Sequence, residues 1–216
     1  MKFSNLSEIA TYIVSDGKGI LAADESNPTC KKRFDTISVE SNEQNRRDYR
    51  ELLFSSNGMV GNIGGVILFD ETIRQKTDAG QSLVDLILEA GALPGIKVDK
   101  GLAPFNGSDI ETLTQGLDDL DERCKEYAEL GAKFTKWRAV INIGNGIPTQ
   151  ECIDANMEAL AKYAKIAQKN GMVPIVEPEV LINGNHSIQD CYDATLRSIK
   201  SLFDYLNSYD VDISGT

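Results

Sequence analysis

The sequence predicts an α/β fold of parallel strands, a (β/α)8 TIM barrel represented by about five strands and the start of a sixth. Short apolar runs alternate with amphipathic helical stretches, and parallel pairing needs such crossovers. An open doubly wound sheet meets that requirement too. However, Ala23-Asp24-Glu25-Ser26 after the first apolar run is neither a G-x-G-x-x-G nor a Walker loop, which favours the barrel. Charged residues also recur at the ends of three strands, where barrel enzymes carry their chemistry.

The elements follow in order. Ile9 and Ile13 give one apolar face to a helix over about 7–15. Gly19-Ile20-Leu21-Ala22-Ala23, bounded by glycine and Asp24, reads as a buried strand. Ser41 with Gln44 forms a capping box for a helix through Phe54. Gly65-Val66-Ile67-Leu68-Phe69 is a second strand, and 81–90 is a helix ending at Gly91. Gly95-Ile96-Lys97-Val98-Asp99 is a third strand, followed by a helix over 117–130 stopped by Gly131. Phe134–Ile141 is the fourth. Thr149 caps a long helix ending at Gly171. Val173–Val176 is the fifth strand, cut off around Pro178. Ser187 with Asp190 starts a helix to about Leu206, and Asp210–Ser214 begins a sixth strand. With no Pro/Ser-rich linker or charge block, residues 1–216 read as a single partial barrel domain.

Composition narrows the function. Among 216 residues, 33 acids outnumber 22 bases, for a formal net charge of -11, which argues against nucleic acid as a partner. No apolar run has membrane-spanning length. Met1 to Asp16 shows no basic segment followed by an apolar stretch, so a cytoplasmic location is expected. Cys30, Cys124, Cys152 and Cys191 are scattered and read as reduced structural thiols. The single histidine, His186, cannot assemble a histidine zinc site, so no metal is expected.

Residues i and i+2 of a strand point to one side. Lys97 with Asp99, Lys136 with Arg138, and Glu177 with Glu179 each place two charges together near the end of a strand, and Asp24 stands at the corresponding end of the first. Charges in a sheet covered on both faces need partners, so these are expected to converge. Lysines and arginines hold phosphate oxygens, while carboxylates move protons. Imine formation fits this mixture: a lysine whose pKa is lowered by a neighbouring cation attacks a carbonyl. Lys97 and Lys136 are both open as that nucleophile on this reasoning.

Several strings then resemble the class I, Schiff-base-forming fructose-bisphosphate aldolases. They include Gly17-Lys18-Gly19-Ile20-Leu21-Ala22-Ala23-Asp24-Glu25-Ser26, Glu43-Gln44-Asn45-Arg46-Arg47, Gly64-Gly65-Val66-Ile67-Leu68-Phe69 and Gly95-Ile96-Lys97-Val98-Asp99-Lys100-Gly101. Thr114-Gln115-Gly116-Leu117-Asp118, Lys136-Trp137-Arg138 and Val173-Pro174-Ile175-Val176-Glu177-Pro178-Glu179 continue the match in order along nearly the whole chain.

The resemblance implies a (β/α)8 barrel that reversibly cleaves fructose 1,6-bisphosphate, a phosphorylated ketose, into dihydroxyacetone phosphate and glyceraldehyde 3-phosphate. It implies no cofactor and a full-length homotetramer. By motif, Asp24 resembles the carboxylate taking part in C3–C4 cleavage, and Glu177 the general acid/base of imine formation and dehydration. Glu179 resembles its neighbour in a carboxylate and lysine network, and Lys136 the cation beside the Schiff base. Lys97 and Arg138 resemble substrate-pocket cations, and Arg33 a phosphate-binding arginine in the loop after the first strand. Asn27-Pro28-Thr29 departs from the small residues usual in that loop.

In the family, Gly-Thr-Leu-Leu-Lys carries the imine-forming lysine. The match at Gly215-Thr216 places that lysine three residues beyond the last residue, so the sequence reads as an N-terminal portion, expected to be inactive alone. Two other readings stay open: a non-catalytic binding or scaffold protein with this fold, and another sugar-phosphate barrel lyase.

Overall fold

In the computed structural model, which describes residues 2–216, the chain begins with helix α1 (Leu6–Ile13). Asn5 caps it by accepting the Glu8 N–H at 2.9 Å, and Ile9 and Ile13 are buried. Strand β1 (Gly19–Ala23) leads into α2 (Asn27–Asp35) and α3 (Glu43–Phe54). The cap of α3 is Asn42, which accepts the Asn45 N–H at 2.8 Å. The box expected at Ser41 is not formed, because the side chain one residue later reaches the free amide first. Next come β2 (Ile63–Leu68), the single turn α4 (Asp70–Ile73), α5 (Leu83–Glu89) and β3 (Leu93–Lys97). Helix α6 (Leu120–Glu129), strand β6 (Phe134–Ile141), helix α7 (Gln150–Lys169), strand β7 (Val173–Val180) and helix α8 (Ile188–Ser208) complete the alternation. Between β3 and α6 the chain inserts an antiparallel hairpin, β4 (Leu102–Pro104) with β5 (Thr112–Thr114), which the sequence reading did not anticipate.

The order β1-β2-β3-β6-β7 is parallel throughout, giving five strands of a barrel wall. Strand β7 runs through Pro178 rather than stopping there. Val173 and Leu181 donate their N–H groups to Lys133 and Ile141, so odd-numbered residues of β7 bond to β6. Pro174 and Pro178 therefore turn their missing donors to the open side, where proline costs no ladder bond. The expected start of a sixth strand is instead a turn, Ile213–Gly215. The Asp212 carboxylate accepts the Ser214 N–H at 2.9 Å and hydroxyl at 2.7 Å, which bends this segment out of the extended form.

Strand periodicity divides the interior in two. Val66, Leu68, Ile96, Trp137 and Ala139 face the helices, where Trp137 stacks on Tyr163 at 5.3 Å between ring centroids. Ile67, Leu93, Phe134 and Val173 face the other way, onto Ile9 and Ile13 of α1, which lies across the floor of the wall. Phe134 takes the space above two glycines: a Cβ on Gly95 would lie 2.3 Å from its ring, and one on Gly65 2.9 Å. Climbing each inner column by two residues leads from this apolar floor to charge, from Phe134 to Lys136 and Arg138, and from Val173 to Glu177 and Glu179. The floor holds the rim.

Candidate active site

The rim encloses a cavity of about 830 Å3. Lys136 lies at its centre, because β6 is flanked on both sides. Its Nζ is 3.2 Å from Asp24, just past β1, and 3.2 Å from Glu177 of β7. The Lys136 and Asp24 side chains are each 12% exposed. Burial pulls the Lys136 ammonium down, but Asp24 and Glu177 outweigh it, so its pKa stands above the ordinary lysine value. Lys136 is thus held as a cation.

Lys97, at the end of β3, donates to the Asp99 carboxylate and to the Asp99 carbonyl at 3.1 Å. Arg138, one inner step above Lys136, pairs with Glu179. Glu179 meets this arginine and not the lysine, so it stands apart from the network expected of it. Of the expected residues, Asp24, Lys97, Lys136 and Arg138 line the cavity, and Glu177 joins them through Lys136. Arg33 does not reach it. It sits in the last turn of α2 rather than in a loop, 59% exposed, and pairs with Glu25. Ser26 at the N-cap and Pro28 in the first turn start a helix where a loop was expected.

The sequence reading left several lining residues without a role. Glu25 forms an ion pair at 2.9 Å with Arg50, which is 2% exposed. Ser26 and Thr29 open the N-terminus of α2 into the cavity, with their hydroxyls 3.1 Å apart. The Ser26–Pro28 start signal was the readable clue to them. Across the cavity, Asp70 accepts from Tyr127 at 2.9 Å and pairs with Arg74, which also holds Glu126. Burial, with Asp70 adding to it, pushes the Tyr127 phenol up to about 12. Asp70 and Arg74 belong to α4 and its C-cap and Glu126 and Tyr127 to α6, and no sequence pattern links the two pairs.

Six bases and five acids line the cavity, so an anion meets a far less acidic site here than on the chain at large, of net charge -11. A carboxylate–ammonium–carboxylate row beside arginine and lysine side chains that each keep further N–H donors can hold a phosphorylated carbonyl compound and pass protons along it.

Comparison with known proteins places the chain among relatives. A family model described as fructose-bisphosphate aldolase class-I matches residues 5–216. Proteins named probable fructose-bisphosphate aldolase class 1 from Xylella fastidiosa and Xanthomonas campestris pv. campestris are each 50% identical over 216 residues, covering 100% of this chain and 65% of theirs. Fructose-bisphosphate aldolase 4, cytosolic, of Arabidopsis thaliana is 52% identical over 207 residues, 96% of this chain and 53% of its own. A solved fructose-bisphosphate aldolase of Plasmodium falciparum, in complex with TRAP and a small-molecule inhibitor, superposes with a TM-score of 0.95 at 48% identity. That match covers 97% of this chain and 61% of the solved one. The chain therefore spans less than two thirds of the length of these relatives.

Proposed function

The chain belongs to the class-I fructose-bisphosphate aldolase family, and from that premise we propose that its protein is a carbon–carbon lyase cleaving fructose 1,6-bisphosphate reversibly into dihydroxyacetone phosphate and glyceraldehyde 3-phosphate. The observation that carries this reading is Lys136 bridging Asp24 and Glu177 at one rim of parallel strands.

An imine mechanism needs one neutral amine and one fixed cation beside it. Lys136, kept charged by two carboxylates, suits the second role and lowers the pKa of an amine brought next to it. Lys97 is bound to Asp99. We therefore assign the nucleophile to neither, and to the lysine that the family resemblance places in the strand following Gly215-Thr216.

In this scheme the amine adds to the ketose C2 carbonyl, and Glu177 gives a proton to the departing water. Asp24 takes the proton of the C4 hydroxyl as the C3–C4 bond breaks, and its electrons move into the imine to give an enamine. Protonation at C3 and hydrolysis then release the ketose phosphate. Lys136 shuttles protons between the two carboxylates, and Glu179 orients Arg138. Lys97, Arg138 and, after leaving Glu25, Arg33 hold phosphate.

A cytosolic setting is in line with the cytosolic relatives, and among the described residues no helix is long and apolar enough to cross a membrane. The acidic charge supports the absence of nucleic acid from its partners. The homotetramer implied by the resemblance is tested by light scattering of the whole protein. Turnover of fructose 1,6-bisphosphate, against fructose 1-phosphate and unrelated phosphosugars, tests the reading itself. Selective cleavage of the bisphosphate is expected. Binding without cleavage would instead mark a scaffold that keeps the fold, and preference for an unrelated phosphosugar would mark another barrel lyase.

A further inference from the structure

Asp99 carries no role in the scheme above, yet it is among the most buried carboxylates of the cavity, with its side chain 6% exposed. It lies just past the end of β3, where the chain turns into the β4–β5 hairpin. The base of that hairpin is closed by Lys100 donating to Gln115 and Gln115 donating to Gly101, both at 2.8 Å. Asp99 Oδ1 accepts from Lys97 Nζ and from the Gly101 N–H at 3.4 Å, and the Asp99 carbonyl accepts from the same Nζ at 3.1 Å. Its Oδ2 is buried with no partner. The carboxylate is thus held through Oδ1 alone.

The donor count of Lys97 indicates what that hold is for. An ammonium has three N–H donors. Asp99 takes two of them, through its carboxylate and its carbonyl, leaving one free on a side chain that lines the cavity. From this geometry we infer that Asp99 is a positioning residue for anion binding: it fixes Lys97 against the hairpin base so that the remaining N–H is aimed at a phosphate oxygen of the ligand.

The inference rests on the aldolase reading only for the identity of the ligand, a sugar phosphate. It has a competitor of opposite sign. By charge alone Asp99 repels an anion, so removing its charge would tighten phosphate binding. By positioning, removing it frees a flexible side chain whose ordering then costs affinity.

The test is inorganic phosphate binding by calorimetry on the whole protein, a readout that needs no turnover. Asp99→Asn is suited to it: the amide occupies nearly the same volume, no donor faces Oδ2, and the charge-assisted bond that fixes Lys97 becomes a weaker neutral one. Positioning predicts phosphate affinity weakened about tenfold, and a KM for fructose 1,6-bisphosphate raised by more than kcat falls. Lys97→Met is expected to weaken phosphate at least as much, and the Lys97→Met/Asp99→Asn double variant to add nothing further. Should Asp99→Asn not fold, Asp99→Glu decides: it keeps the charge but moves it by one methylene, and positioning predicts weaker phosphate there too. Unchanged or tighter phosphate binding in the folded Asp99 variant overturns the inference, as does additivity with Lys97→Met or wild-type protein that binds no phosphate. If phosphate behaves as expected while fructose 1,6-bisphosphate is not cleaved, the aldolase reading fails and this inference stands.

Discussion

Lys136 is the residue on which the proposed chemistry turns. Two carboxylates within 3.2 Å keep it charged inside the site. Lys136→Met removes that cation and leaves Asp24 and Glu177 facing one another, so cleavage of fructose 1,6-bisphosphate should fall by about 100-fold or more, measured as kcat. The titration has a definite sign. Its folded pKa lies above the ordinary lysine value of about 10.4. The ion pairs therefore stabilise the fold in full below that value, and the contribution disappears as pH rises through the folded pKa. The melting difference between wild type and Lys136→Met should stay flat across neutral pH and shrink only in the alkaline range above about pH 10. A difference already shrinking at pH 8 would show that Lys136 is not held charged. At this scale the sequence was informative, since period-two spacing set Lys136 with Arg138, and Glu177 with Glu179, on one side of their strands. Arg33 was misplaced because its position depends on a helix start at Ser26 and Pro28 that was read as a loop.

At the level of elements, the apolar floor under the rim sets the height and angle of the strands. Phe134 fills the place of side chains missing from Gly65 and Gly95. Gly95→Ala should cost about 1–3 kcal/mol through overpacking, seen as a lower melting temperature of the whole protein. That penalty should shrink when Phe134 is also cut to Ala, because the clash is then gone. An equal penalty in both backgrounds would show that the glycine answers to something other than the ring. The five strands and most helices were readable because each carries an apolar period and a cap or glycine stop of its own. The β4–β5 hairpin was not, since its three-residue strands are too short to show a period. Its place is fixed from outside, by Thr114 donating to the Arg138 carbonyl at 2.9 Å and Asn156 donating to the Thr112 carbonyl at 2.8 Å. The passage of β7 through Pro178 was equally hidden, because only the hydrogen-bonding parity of the strand pair tells which side lacks the donor.

Over the whole molecule, the sheet has two open edges, β1 and β7, and beyond Pro174 no residue of β7 is buried. Open parallel edges with a partly exposed inner face favour self-association. Expressed as these 216 residues alone, the polypeptide should associate in light scattering and unfold with low cooperativity in urea. A monodisperse monomer with a sharp transition would show that the half-wall is self-sufficient. The proposed function belongs to the same scale: elements spread from Asp24 to Glu179 bring six bases and five acids to one cavity on an acidic chain. The most direct measurement is borohydride reduction of the whole protein with dihydroxyacetone phosphate, followed by peptide mass spectrometry. The account predicts one reduced adduct, on a lysine other than Lys97 and Lys136, and its loss or steep reduction in Lys136→Met. Turnover with no adduct, or an adduct on Lys136 itself, would contradict it.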